Sequence, residues 1–137
     1  EIAKINLAAF VVVNRSLEKV HEMQRKLGSA KESDITAITA SSFDGLEGQV
    51  FDVVINATST GLTGSALPIP DSIFTSSTLA YDMMYGRETL FMAQARLAGA
   101  QVADGLGMLV EQAAEAFSIW RGVRPATKSV IATIIAL

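Results

Sequence analysis

An apolar run, Phe10 to Val13, stops at Asn14-Arg15-Ser16, and a helical pattern begins at once behind it. Arg15 offers a planar fork of N–H donors that matches the oxygens of an anion such as a phosphate. Ser16 stands where a helix N-cap belongs; its hydroxyl can cap that helix or donate to the same anion, whose charge suits the helix's amino end. Lys19 adds a second positive charge one turn on. From these residues alone two interpretations stand level: a phosphate site, or two solvated cations beside an ordinary cap.

Three more segments have the same form, an apolar stretch running out into polar, glycine or methionine residues. They are Asn56-Ala57-Thr58-Ser59, Asp82-Met83-Met84-Tyr85 and Asp104-Gly105-Leu106-Gly107. Met108 and Gln112 follow, four apart, so on a helix both project from one face at adjacent turns. Taken singly, each has a plain structural alternative: a Ser/Thr loop bonded to its own backbone, packed methionines, turn glycines, a surface glutamine.

The elements that must position these groups can be read from hydrophobic period. Phe10–Val13 reads as a buried strand, Leu17–Leu27 as a helix with Leu17, Val20, Met23 (or Gln24) and Leu27 on one face, and Gly28 as its stop. Ile35–Ala40 alternates as a strand, "SSFDGLEG" as a turn, and Val50–Asn56 as a second strongly buried strand. A Thr/Ser/Gly loop closed by two prolines leads to the strand "TLAYDMM". Then come a helix over Glu88–Ala98, a short strand "AQVAD", and closing helices over Gly107–Trp120 and Ala126–Leu137. Ile2, Ile5 and Ala9 have helical spacing. Ala113, Phe117 and Trp120 form a stripe expected to be core, Glu111 and Glu115 a solvent face, and His21 a solvated side chain. Strands alternating with helices predict parallel βαβ units with a sheet covered on both faces. Ligands of such sheets gather at the carboxyl ends of the strands, where all four polar segments fall.

Composition narrows the chemistry. The chain has 137 residues, 50% of them hydrophobic and 18% charged, enough for one domain with a true core. A net charge of −3 provides no general attraction to nucleic acid or anionic membrane. No cysteine is present, so disulfides and thiolate metal sites are excluded and a cytoplasmic setting fits. His21 is the sole histidine, which rules out His-rich zinc sites and disfavours a Ser-His-Asp triad. No apolar run has the ~18 residues of a membrane span.

In dinucleotide-binding folds the second strand ends beside the adenosine ribose; an acidic residue there favours NAD and an arginine accommodates the 2′-phosphate of NADP. Such folds also need a Gly-rich pyrophosphate turn after the first strand, and no glycine precedes Phe10. The expectation is therefore a Rossmann-like doubly wound α/β sheet, truncated at its first strand, in a chain that is a piece of a longer polypeptide.

Four stretches together resemble the carboxyl-terminal, NADP-binding half of shikimate dehydrogenases: "VVVNRSLEKV", "FDVVINATSTGL", "YDMMYGRETLF" and "ADGLGMLVEQAAEAFSIWRGVRP". The resemblance covers roughly residues 10 to 125 in the family's order. It implies reversible NADPH-dependent reduction of 3-dehydroshikimate to shikimate, on the route to chorismate and the aromatic amino acids. It places Asn14, Arg15, Ser16 and Lys19 at the adenosine phosphate, and Asn56, Ala57, Thr58 and Ser59 along the ribose and pyrophosphate. Met83, Gly105, Gly107 and Met108 would border the nicotinamide, while Tyr85 and Gln112 would reach the substrate's carboxylate and hydroxyl. The family's catalytic lysine and aspartate lie on an amino-terminal substrate domain, and no position here matches either. The chain, 1–137, is thus expected to be a partial NADP-binding domain, inactive alone, with 107–137 closing it and reaching the substrate cleft. The alternatives are a non-catalytic dinucleotide-binding module and a quinate/shikimate dehydrogenase using NAD and NADP.

Overall fold

The structure, a computed structural model, describes residues 7–28 and 38–136, the side chains of Leu27 and Gly28 excepted. The expected helical spacing of Ile2 and Ile5 and the start of the strand at Ile35 lie outside the described residues; Leu7–Ala9 are not helical. The elements are β1 (Phe10–Val13), α1 (Leu17–Gly28), β2 (Ile38–Ser41), β3 (Val53–Asn56), α2 (Thr60–Thr63), β4 (Leu79–Asp82), α3 (Leu90–Leu97), β5 (Gln101–Ala103), α4 (Leu106–Arg121) and α5 (Lys128–Ile135). They fall into two compact units, Glu1–Gln49 with Pro68–Ile73, and Val50–Leu67 with Phe74–Leu137.

In the first unit β1 and β2 pair in parallel, Phe10 opposite Ile38 and Val13 opposite Ser41. Parallel neighbours require a crossover, which α1 supplies. Its inner face is narrower than the period suggests: Val20 is buried and Met23 and Gln24 are half-buried, but Leu17 is exposed. Gln24 reaches across to donate its Nε2 to the Ile38 carbonyl at 2.5 Å, tying the helix to β2. The segment expected as a turn holds a 3₁₀ turn at Asp44–Leu46 that buries Leu46.

In the second unit β3, β4 and β5 form a parallel sheet in that order. All the pairings in both units are parallel, as in doubly wound α/β folds.

Alternate residues sort the three-stranded sheet into unlike faces. Val54, Asn56, Ala80, Asp82 and Val102 share the inner face, and Ala80 and Asp82 are fully buried there. Val53, Ile55 and Leu79 share the other, where they are exposed while Tyr81 and Ala103 are half-buried. β3 is an edge strand of this sheet, and its Val53 is 52% exposed. The strands are also shorter than their apolar runs. Thr78 explains one boundary, its buried hydroxyl donating to the Phe51 carbonyl at 2.8 Å and accepting from Thr75 N at 2.9 Å. The inner face is closed by α3, which buries Phe91, Met92 and Ala95. Phe91 meets Phe74 edge to face, with centroids 5.8 Å apart. Burying such a ring stabilises the fold by about 1.5–3 kcal/mol. Gly99, at φ +89, turns the chain out of α3, a conformation a side chain would oppose.

One correction concerns α4. Its buried line is Leu106, Val110 and Ala114; Ala113, Phe117 and Trp120 are exposed, Trp120 at 78%. At about 100° per residue, Ala113 and Phe117 each stand seven residues, and so only about 20°, from Leu106 and Val110, so the two lines share one side of the helix. Period alone identifies apolar lines without saying which one has a neighbour. Glu111 and Glu115 are exposed, and both bond Arg124, while Thr127 Oγ1 donates to Glu111 at 2.6 Å. These contacts fasten the α4–α5 corner.

Candidate functional site at the strand ends

The carboxyl ends of β3 and β4 are held by a buried hydrogen-bond network centred on Asp82. Asp82 Oδ2 accepts from Asn56 Nδ2 at 3.1 Å and from the Thr89 hydroxyl at 2.5 Å; its Oδ1 accepts from Met84 N at 2.9 Å. Three donors satisfy a side chain that is 0% exposed, where an unpaired polar group would be costly. Asn56, itself buried, spends its carbonyl oxygen on Thr58 N and Thr58 Oγ1, at 3.0 and 2.8 Å. Thr58 Oγ1 in turn lies 2.7 Å from Thr60 Oγ1. Thr89 also caps α3, accepting from Met92 N at 3.3 Å.

Backbone bonds bring the third strand end to the same place. Met83 N donates to the Asn56 carbonyl at 3.1 Å, and Gly105 N to the Met84 carbonyl at 2.8 Å. A Cβ on Gly105 would stand 2.2 Å from the Met83 carbonyl oxygen, so this position accepts only glycine without a backbone shift. The close approach here is to the chain's own Met83. Gly107 differs: nothing lies within 4 Å of a Cβ built there. Asp104 Oδ1 takes Leu106 N at 3.1 Å, while Gly107 and Met108, in the first turn of α4, have N–H groups with no intrahelical acceptor.

Of the positions expected to meet a cofactor or substrate, the second unit thus joins Asn56, Thr58, Met83 and Gly105 directly. Ala57 and Ser59 are exposed on the same turn. Met83 is 40% exposed and Tyr85 47%, both beyond the end of β4. On α4, Met108 is half-buried and Gln112 exposed. In the first unit Asn14 Oδ1 accepts from Ser16 N at 3.0 Å, closing the turn after β1. Arg15 and Lys19 are exposed, and among the described residues neither enters an ion pair.

Sequence reasoning took Asp82 only as a strand-end residue and passed over Thr89 and Arg87. Nothing in the period announces that a strand's last residue is a buried acid; the available signal was a Thr placed seven residues after it, immediately before a helix. Arg87 donates to the Gly61 carbonyl and, with Thr60, Gly61, Ser65, Thr89 and Phe91, lines a cavity of about 260 Å³. Tyr81 is raised above its ordinary range by burial and then by the neighbouring Asp104 carboxylate. Among the described residues no group of three or more His, Asp or Glu side chains could hold a metal ion. No helix there is long and apolar enough to cross a membrane.

Residues 105–135 match the family model for the shikimate 5′-dehydrogenase C-terminal domain. The shikimate dehydrogenase (NADP(+)) of Methylobacillus flagellatus is 53% identical over 124 residues, which cover 90% of this chain and 44% of that enzyme. An Ael1 enzyme from Pseudomonas putida is 43% identical with a TM-score of 0.81, over 92% of this chain and 45% of its own. A shikimate dehydrogenase from Thermus thermophilus, solved with NADP(H) and shikimate, is 28% identical with a TM-score of 0.70, over 88% of this chain and 43% of its own. The chain therefore spans less than half the length of the relatives it matches.

Proposed function

Because the chain corresponds to the carboxyl-terminal half of shikimate dehydrogenases, we propose that it is the NADP-binding part of such an enzyme, working in the cytoplasm on shikimate and 3-dehydroshikimate. The single observation that supports this best is the meeting of β3, β4 and the β5–α4 turn at one end of the sheet, with Thr58, Met83 and Gly105 held together there. NADPH, when bound, supplies the hydride that reduces the ketone.

The residues present suit that group. Arg15 carries a fork of donors for the 2′-phosphate and Lys19 a second charge, with Asn14 fixing the turn on which Arg15 stands. The hydroxyls of Thr58 and Ser59 would meet the ribose and pyrophosphate. Because the Asn56 side chain is buried, it would act on a ligand through Thr58. Met83 and Met108 offer apolar surface to the nicotinamide, and the open space beside Gly107 lets a ring approach α4. Tyr85 and Gln112 would hydrogen-bond the substrate. We read 1–137 as one cofactor-binding domain, with α4 and α5 carrying Met108 and Gln112 to the substrate side. A proton must also reach the developing alkoxide. No residue of this chain is assigned to that step, which falls to the amino-terminal substrate domain.

The test is shikimate oxidation by the full-length gene product with NADP and with NAD. Turnover strongly favouring NADP supports the proposal. Equal use of NAD, or a preference for quinate, would move the protein to the quinate/shikimate branch, and cofactor binding without turnover would make it a non-catalytic module.

A further inference from the structure

We propose that Asp82 is a positioning residue that sets the cofactor-side turn and the substrate-side turn against one another. The inference rests on the function proposed above and concerns a side chain that touches neither ligand. Asp82 is fully buried and faces two turns at once. Through Oδ1 it fixes Met84 N, and so the stretch from which Met83 and Tyr85 project. Through Oδ2 it fixes the amide of Asn56, whose other end holds both the N–H and the hydroxyl of Thr58. The Thr89 hydroxyl braces Oδ2 from the start of α3.

The polarity of this chain of bonds admits one arrangement. Asn56 must point its NH₂ at Asp82, because its carbonyl oxygen is committed to two donors on Thr58. Asp82 must present acceptors on both sides, because a backbone N–H lies on one and an amide and a hydroxyl on the other. An asparagine at 82 can keep the bond to Met84 but then turns its own NH₂ toward that of Asn56. If Asn56 rotates to relieve the conflict, the mismatch passes to Thr58. In the first case a buried donor is left unmet, in the second the Thr58 N–H loses its acceptor, and in either a turn expected to touch a ligand must move. A displacement of the order of 1 Å at such a place costs up to about a hundredfold in rate.

The experiment is a reciprocal exchange in the full-length protein, read as KM and kcat separately. Asp82→Asn is expected to raise KM for NADP and for shikimate by about tenfold and to lower kcat as well. Adding Asn56→Asp restores one donor facing one acceptor at this pair, with Thr58 still bonded, and should recover most of both constants. A purely structural role would lower the fraction folded and the melting temperature but leave KM unchanged in the surviving molecules. Native KM values in Asp82→Asn, or a double variant no better than the single one, overturn the inference. If Asp82→Asn does not fold, Thr89→Val against Thr89→Ser decides: raised KM only where the hydroxyl is lost supports it, and equal KM values refute it. Absence of turnover in the wild-type protein would instead overturn the function proposed above. In that event the amide resonances of Thr58 and Met84, shifted by Asp82→Asn and returned by the exchange, would still support positioning, and unshifted resonances would refute it.

Discussion

The turns expected to meet a ligand are held by opposite means in the two units. The turn after β1 has one internal hydrogen bond, from Ser16 N to Asn14, and presents Arg15 and Lys19 to solvent. The turns after β3 and β4 hang on Asp82, Asn56 and Thr89, all buried and all hydrogen-bonded. On the function proposed above, the difference follows from what each turn would recognise. A phosphate is charged and nearly isotropic, so long flexible cations can find it from many starting conformations. A nicotinamide ring and a substrate hydroxyl are recognised by orientation, which demands walls already in place before the ligand arrives.

Substitutions that trade one kind of support for the other sharpen this contrast. The largest effect on stability is expected from Gly105→Ala, whose new methyl must displace the Met83 carbonyl. It should cost about 1–3 kcal/mol of stability in denaturant unfolding, and weaken cofactor binding with it. Arg15→Ala should do the reverse. It should lower NADP affinity by about 1.5–3 kcal/mol, leave NAD affinity unchanged, and alter stability by less than about 0.5 kcal/mol, all accessible by calorimetry. Unchanged NADP affinity in that variant would place the phosphate elsewhere. Lys19→Ala should repeat the pattern at about 0.5–1 kcal/mol, since an exposed ammonium acts only as a point charge.

The smallest effect belongs to the α4–α5 corner. Glu111 is held below the ordinary glutamate range by the Thr127 hydroxyl and then by Arg124. Its folded value is depressed, so the contribution is present above the unfolded value and is lost as pH falls through the folded one. Acid unfolding followed by circular dichroism should show a loss of stability on the acid side of the ordinary glutamate range. Glu111→Gln should flatten that limb by slightly lowering stability at neutral pH while leaving the acid end unchanged.

Much of this arrangement could be read before any coordinates. The order of elements, the parallel pairing and the four strand-end segments follow from period and from where apolar runs stop. What escaped depends on neighbours distant in sequence. Ala113, Phe117 and Trp120 have the spacing of a core stripe, yet Leu106, Val110 and Ala114 are the line that meets the rest of the unit. Val53 and Ile55 are as β-branched as any central strand, but their strand is an edge. Helix α2, four residues long, has no hydrophobic period to reveal it. Asp82 escaped for a different reason: a lone acid after an apolar run suggests the surface, and only the convergence of Asn56, Met84 and Thr89 makes it part of the interior.

Thr89 uses one oxygen for two tasks, closing the first turn of α3 and bracing Asp82. Fraying of that helix end therefore cannot stay local. When its first turn opens, the brace on the tips of β3 and β4 goes with it, and the amides of Met92, Met84 and Thr58 become exposed to exchange in a single cooperative event.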